Sequence, residues 1–210
     1  MLVKPPSAPT PSNAKAPAAY HHGDLRAALV AAARETLETT PPEGVTLKSL
    51  AARLGVSQPA PYRHFKNREA VLAAVAADGF ERFGAALVAA RAAGPPESAF
   101  ERACLAYLAF GRSNMGVYRQ MFSSRMAQEE RNPELDAASQ ASFDFLLKEV
   151  ARIAPAGRVP LLALWVWSTL HGLVMLEAEG LATGPVEDGP TPADIVHEML
   201  TTLASTASSP

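Results

Sequence analysis

The chain is read as an all-α protein, and three observations carry that reading. Apolar residues recur at spacings of three and four through most of the sequence from Leu25 onward, as one face of a 3.6-residue helix requires. No stretch alternates apolar and polar residues over more than a few positions, which is the period of a half-buried strand. Clusters such as Pro41-Pro42-Glu43-Gly44 and Gly94-Pro95-Pro96 close the periodic runs.

Taken in order, residues 1–19 hold five prolines among Ala, Ser, Thr and Lys. Residues 1–20 are therefore expected to be a flexible arm, a solvated tail or, through Lys4 and Lys15, a contact to an anionic partner. The first helix places Leu25, Leu29, Ala32, Ala33 and Leu37 on one face, behind Asp24 as N-cap. A second starts at Thr46, carries Leu47, Leu50, Ala51 and Leu54, and stops at Gly55. A short third helix is expected over about 58–65. Asn67 then caps a long helix in which Leu72, Val75, Gly79, Phe83 and Leu87 repeat. Five further helices are expected at about 97–113, 117–122, 133–153, 160–179 and 192–203, about nine in all. Asn132-Pro133-Glu134 is a start signal, because proline in the first turn gives up an amide that has no partner there anyway.

Composition narrows the class. The chain has 210 residues, 48% of them apolar and 19% charged, which excludes a chain disordered throughout, and its 13 glycines follow no collagen-like period. A single cysteine, Cys104, allows no internal disulfide, so a reducing, cytoplasmic setting is expected. The first twenty residues contain no apolar run of a secretory signal. Residues 161–176 are apolar except for Ser168, Thr169, His171 and Gly172, shorter than the ~20 residues a membrane span needs. A helix buried in a core or between subunits is expected there, and no membrane partner.

Charge is unevenly shared. Lys plus Arg number 19 and Asp plus Glu 21, a net of −2, yet residues 1–82 carry ten basic against seven acidic residues and the remainder nine against fourteen. Residues 44–68 hold Lys48, Arg53, Arg63, Lys66 and Arg68 with no acid between Gly44 and Arg68. Such a local patch matters more to an anionic partner than the overall balance.

Within this patch, TLKSLAARLGVSQPAPYRHFK (residues 46–66) has the residue types that two helices joined by a tight turn require. Ala51 is small, Gly55 can take the left-handed conformation, Val56 fills the space between the helices, and Ser57 can cap the second helix of the pair. Leu47, Leu50, Leu54 and Phe65 supply the core; Phe65 reads as core rather than as a base-stacking ring. This is a helix-turn-helix pattern, whose second helix can lie in the DNA major groove.

From His21 to Arg82, and most specifically at Tyr62-Arg63-His64-Phe65-Lys66, the chain resembles the DNA-binding domain of the TetR family of bacterial transcriptional regulators. The tract Trp167-Ser168-Thr169-Leu170-His171-Gly172 resembles the WHG type of TetR ligand-binding domain. The resemblance implies three regions: the arm at 1–20, a three-helix DNA-binding domain at 21–82 with its motif at about 46–65, and a ligand-binding and dimerisation bundle at 83–206, joined by the long helix. It implies that Thr46 donates to a phosphate at the positive end of the second helix, and that Tyr62 and Lys66 sit at backbone phosphates, with Lys48 nearby. Ser57, Gln58, Ala60, Arg63 and His64 lie on or near the recognition helix. Gln can pair with adenine, Arg with guanine, and Ala can meet a thymine methyl. Arg53 and Arg68 read either as phosphate contacts or as solvated charges.

Pro59 and Pro61 both fall in the first turn of that helix. Pro61 also biases Ala60 away from the helical region. A late start or an irregular first turn is expected there, with fewer backbone donors at the helix tip.

One recognition helix contacts few bases, so a dimer on double-stranded DNA with two half-sites is expected. The resemblance places the dimer contact in the last two long helices; the apolar run at 161–176 serves that contact or only the subunit core. For a small apolar effector, the candidate lining is Tyr107, Phe110, Tyr118, Met121, Phe122, Met126, Phe143, Trp165 and Met175, adaptable side chains of which many are expected to be ordinary core. His171 reads equally as a ligand contact or as a hydrogen-bonded buried histidine.

Enzymatic readings find little. The five histidines lack His-x-x-x-His spacing, and no CxxC or phosphate-binding glycine loop occurs, so neither metal nor cofactor is expected. The sequence between Gly111 and Gly116 has one residue too many for a nucleophile elbow and no strand before it. The expected function is a homodimeric, ligand-released repressor acting on a palindromic operator. The alternative is a helical interaction or small-molecule-binding protein that keeps the scaffold without binding DNA.

Overall fold

A computed structural model of the chain describes residues 25–123, 132–181 and 189–207; the arm at 1–20, Asp24 and Met126 lie outside them. Among the described residues there are eight α-helices and no strand. They are α1 (Leu25–Leu37), α2 (Leu47–Leu54), α3 (Arg68–Ala92), α4 (Ala99–Ser113), α5 (Met115–Met121), α6 (Pro133–Val150), α7 (Val159–Ala178) and α8 (Pro192–Ala207).

Local chemistry sets most of these boundaries. At the start of α2 the Thr46 hydroxyl accepts the Ser49 N–H at 3.0 Å and the Ser49 hydroxyl accepts the Thr46 N–H at 3.1 Å, a reciprocal capping box. At its end Gly55 is left-handed (φ 65°) and the Val56 N–H returns to the Ala51 carbonyl at 3.0 Å. Asn67 caps α3 through Ala70 N–H at 2.9 Å, and Asn132 caps α6 through Leu135 N–H at 3.1 Å.

The third helix read from the sequence is the main departure. Residues 58–65 form no α-helix; Pro61–Arg63 is one 3₁₀ turn. The Ser57 carbonyl takes the Ala60 N–H at 2.9 Å, because Pro61 has no N–H to continue an α-helical ladder. The irregular first turn is thus present and extends through the whole segment. Ala60 departs from expectation in the other direction: it keeps helical angles (φ −60°, ψ −44°) despite preceding a proline. Pro61 is buried, and Ala60 packs against the core and bonds through both its N–H and carbonyl, so tertiary contacts override the local bias.

Helix α3 is the axis of the molecule. Its first half is buried on nearly every side, from Val71 to Ala77, and farther on it buries Phe80, Phe83 and Leu87. It packs on α1 at one end and on α4, α5 and α6 along the rest. One uninterrupted helix therefore belongs to both the helix-turn-helix region and the bundle.

Helix α7 buries Leu162, Ala163, Val166, Leu170, Leu173 and Val174. At 20 residues it is longer than the apolar run read from the sequence. The stretch Ala156–Ala178 is long and apolar enough to cross a membrane by length and composition alone. One face of it nonetheless forms the bundle, and the other leaves Leu161, Leu164, Trp165 and Leu176 exposed.

Candidate nucleic-acid interface and effector cavity

The helix-turn-helix region separates its residues by side. Val45, Leu47, Leu50, Ala51, Pro61 and Phe65 are buried, and the Arg26 guanidinium lies 5.5 Å from the Phe65 ring centre. Thr46, Lys48, Ser57, Gln58, Tyr62, Arg63 and Lys66 are exposed, Tyr62 by 58% of its surface. Ala60 and His64 are partly withdrawn, Ala60 against the core. The structure therefore brings seven of the nine sequence-derived DNA candidates onto an open surface around the turn.

Arg53 and Arg68 of the patch make ion pairs within the chain. Arg53 pairs with Glu35, and Arg68 forks onto the Glu69 carboxylate at 2.9 and 3.1 Å. Both acids lie outside the acid-free stretch, on α1 and at the start of α3, and only the fold brings Glu35 across to Arg53. Thr46 and Ser57 also differ in detail from the sequence reading. The Thr46 hydroxyl lies 3.0 Å from the Ser49 hydroxyl and serves the capping box. Ser57 takes the Ala60 N–H through its carbonyl rather than its side chain. The amide end of α2 is the more regular of the two starts, because α2 is a true α-helix and the segment after it is not.

A cavity of about 420 Å³ opens between α3, α4, α6 and α7. Phe80, Phe83 and Leu87 come from α3, Phe100, Ala103, Cys104 and Tyr107 from α4, and Trp167 and Leu170 from α7. Phe122 closes one end, and α6 contributes Ser139, Gln140, Ser142, Phe143, Phe145 and Leu146. Of the candidates drawn from the sequence, Tyr107, Phe122 and Phe143 line it; Phe110, Tyr118, Met121, Trp165, His171 and Met175 do not.

Each of those six has a physical reason. Phe110 packs edge-on against Phe83, 5.3 Å between ring centres, and Met121 lies against Gly79, so both fill core space. Trp165 points out of the bundle, 37% exposed, and Trp167, two positions along α7, takes the cavity place. Met175 is half-buried farther along α7. Tyr118 and His171 form a layer behind the wall: the Tyr107 and Tyr118 hydroxyls are 2.8 Å apart, and the Tyr118 hydroxyl is 2.8 Å from His171 Nδ1. Burial pushes both phenols well above the usual tyrosine range and lowers the His171 pKa from 6.5, so the triad is neutral at physiological pH. His171 is thus a partly buried, hydrogen-bonded histidine, with Tyr118 between it and the cavity-lining Tyr107. Cys104, which the sequence reading used only for redox setting, is a lining residue whose thiol is pushed up to about 12, chiefly by burial.

A direct joint links the two regions. The Glu38 carboxylate, just past α1, accepts the Gly116 N–H at 3.1 Å and the Val117 N–H at 3.3 Å at the start of α5. A Cβ on Gly116 would lie 1.9 Å from the Leu37 carbonyl oxygen, so only glycine allows this approach. Helix α5 carries Tyr118, so the residue behind the cavity wall and the amides that Glu38 accepts from share one short helix. Among the described residues no group of three or more metal-ligating side chains occurs.

A small three-element DNA-reading unit, continuous through a long helix with a bundle that encloses an aromatic cavity, defines a one-component helix-turn-helix regulator fold. Residues 29–75 match the family model described as bacterial regulatory proteins, tetR family, and residues 100–203 match the tetracyclin repressor-like C-terminal domain. The chain belongs to the TetR family, whose members are generally non-enzymatic, DNA-binding regulators of transcription. The Escherichia coli tetracycline repressor protein class C is 51% identical over 51 residues, 24% of this chain and 23% of that protein. This chain thus spans about a quarter of the length of the curated relative it matches. A Rhodococcus sp. RHA1 protein described as of unknown function is 30% identical, with a TM-score of 0.76 over 90% of this chain and 98% of that one. A tetR-family transcriptional regulator from Streptomyces coelicolor shares the fold at 19% identity, with a TM-score of 0.68 over 89% of this chain and 83% of its own.

Proposed function

We propose that the chain is a cytoplasmic, homodimeric repressor that binds a palindromic operator and is released by a small, largely apolar effector. The observation that carries the DNA half is the exposed set Thr46, Lys48, Gln58, Tyr62, Arg63 and Lys66, held on one side of a buried helix-turn-helix core. Lys48, Tyr62 and Lys66 serve phosphates, and Gln58 and Arg63 read base edges. The division of labour follows the three regions: the arm at 1–20, the reading domain at 21–82 and the effector and dimer domain at 83–206. Support for dimerisation through α7 and α8 comes from the apolar face of α7: Leu161 is 63% exposed, Leu164 48% and Leu176 46%, a stripe that water would otherwise cover. The cavity supports the effector half. An effector releases DNA only by preferring the state in which the two reading domains are wrongly spaced.

Sequencing DNA selected by the purified protein tests this. The expected product is a two-fold symmetric site with half-sites about one helical turn apart, or a multiple of it. If a dimer neutralises ~6 phosphates, the logarithm of affinity falls against the logarithm of salt with a slope near −5. Absence of duplex binding at low salt, or a monomer in sedimentation, overturns the reading.

A further inference from the structure

We propose that the cavity takes an uncharged aromatic molecule that presents a hydrogen-bond donor to α6. This rests on the reading of the cavity as the effector site, and it commits that site to one ligand chemistry.

The aromatic part follows from the walls. Rings from four helices and from Phe122 face a single space: Phe80, Phe83, Tyr107, Phe143 and Trp167 are among them. Several already meet one another edge to face, as Phe143 does with Trp167 at 6.2 Å and Phe80 with Phe122 at 5.3 Å. A flat ring entering such a space continues the same edge-and-face packing, which favours aromatic over purely aliphatic filling.

The absence of formal charge follows from what the walls can and cannot pair. Among the described residues, no lining side chain carries a charge. The arginines nearest α4 are committed elsewhere. Arg91 donates to Glu149 at 2.8 Å, and Arg102 is spread over the carbonyls of Ala90, Arg91 and Pro95 and the Ser98 hydroxyl. The nearby acid Glu149 is buried, and Arg91 and Arg152 already pair with it. A charged ligand would lose its hydration, and the lining itself holds no charge of opposite sign. The Cys104 thiol reports the same environment, since burial and the carboxylates of Glu101 and Glu149 all hold it in its neutral form.

The donor follows from the direction of the hydrogen bonds already made. Besides the Cys104 thiol, the Trp167 indole N–H and the Tyr107 hydroxyl already paired with Tyr118, the polar part of the lining is a strip on α6. There Ser139 donates to the Asp136 carbonyl at 3.1 Å, Ser142 donates to the Ala138 carbonyl at 3.1 Å, and the Gln140 amide nitrogen donates to Asp144 at 2.8 Å. With their single hydrogens spent on the helix itself, the two serine hydroxyls offer oxygen lone pairs, while Gln140 keeps a second amide N–H. A phenolic hydroxyl or ring N–H complements the serine oxygens, which a bare carbonyl or ether cannot pair.

Calorimetric titration of the full chain with four probes of one shape tests all three parts: 2-naphthol, naphthalene, 2-naphthoate and 2-naphthylmethylammonium. 2-Naphthol is expected to bind most tightly, naphthalene roughly tenfold more weakly for want of one hydrogen bond, and the two ions roughly a hundredfold more weakly or not at all. The exposed-rim variant Gln140→Glu is expected to raise the ammonium's affinity at least severalfold, which locates binding to this cavity. Equal binding of naphthalene and 2-naphthol removes the donor. Tight binding of either ion, no binding by any probe, or a Gln140→Glu variant that treats the ammonium as the wild type does overturns the proposal. A separate operator-retention assay keeps the two readings apart. A bound naphthol that leaves DNA attached breaks the release mechanism alone, and an ion that both binds and releases DNA breaks the ligand chemistry alone.

Discussion

The surface formed by residues 46–66 and the cavity between α3, α4, α6 and α7 are built from the same kind of helix, yet they handle polar groups in opposite ways. At the surface the apolar residues Val45, Leu47, Leu50 and Phe65 are underneath, while Lys48, Tyr62, Arg63 and Lys66 stand in solvent. At the cavity the rings face the open space, and the polar Tyr118–His171 pair stands behind them. A phosphate-reading face works by attraction between exposed charges, each weak and screened by salt, so it needs many of them on a firm base. A closed pocket selects by refusing charge, so a few well-placed neutral groups suffice. The two are joined by α3 and by the Glu38 carboxylate on the amides of α5.

The sharpest way to break that pairing is at the joint. Gly116→Ala places a methyl group against the Leu37 backbone, and a loss of about 3 kcal/mol is expected, read as a lower midpoint in urea. If α5 instead slides aside, the midpoint holds. At the reading face, Arg63→Ala is expected to cost ~1–3 kcal/mol of operator affinity at one base position, whereas Lys66→Ala weakens all sequences alike and lowers the salt slope by about 1. Uniform loss for Arg63→Ala would move that residue from base reading to phosphate contact. A smaller effect, about 1 kcal/mol, is expected for Glu38→Gln, which keeps the size of the cap but removes its charge from the α5 amide end.

The least costly test is of pH. His171 binds protons less readily folded than unfolded, because burial lowers its pKa from 6.5. Between those two values the unfolded chain carries more protons, so stability rises with pH and is lost as pH falls below about 6.5. Thermal midpoints at pH 7.5 and 5.5 should therefore differ more in the wild type than in His171→Gln. Equal differences would place the acid sensitivity elsewhere.

Much of the reading end was legible because its signals are local. Thr46, Gly55, Asn67 and Asn132 act within a few residues of themselves, through caps and one left-handed turn, and the structure uses all four for those purposes. The irregular start of the segment after α2 was legible for the same reason, since a proline without an N–H interrupts the ladder, but the loss of the expected helix over 58–65 was not. The helical conformation of Ala60 was not, because it depends on contacts with the core rather than on its neighbour.

The sequence by itself determined the all-helical class, the breaks between helices and the family. Only the tertiary structure decided which aromatic residues share the cavity. Helix α7 is apolar on most sides, so nothing in its pattern tells Trp167, which faces inward, from Trp165, which faces out. The phase of such a helix is set by which neighbours it packs against, and those neighbours come from α4 and α6, many residues away. The same holds for the pairing of Arg53 with Glu35 and for the Glu38 cap. Such contacts depend on where separate helices meet, and no spacing within one helix encodes that.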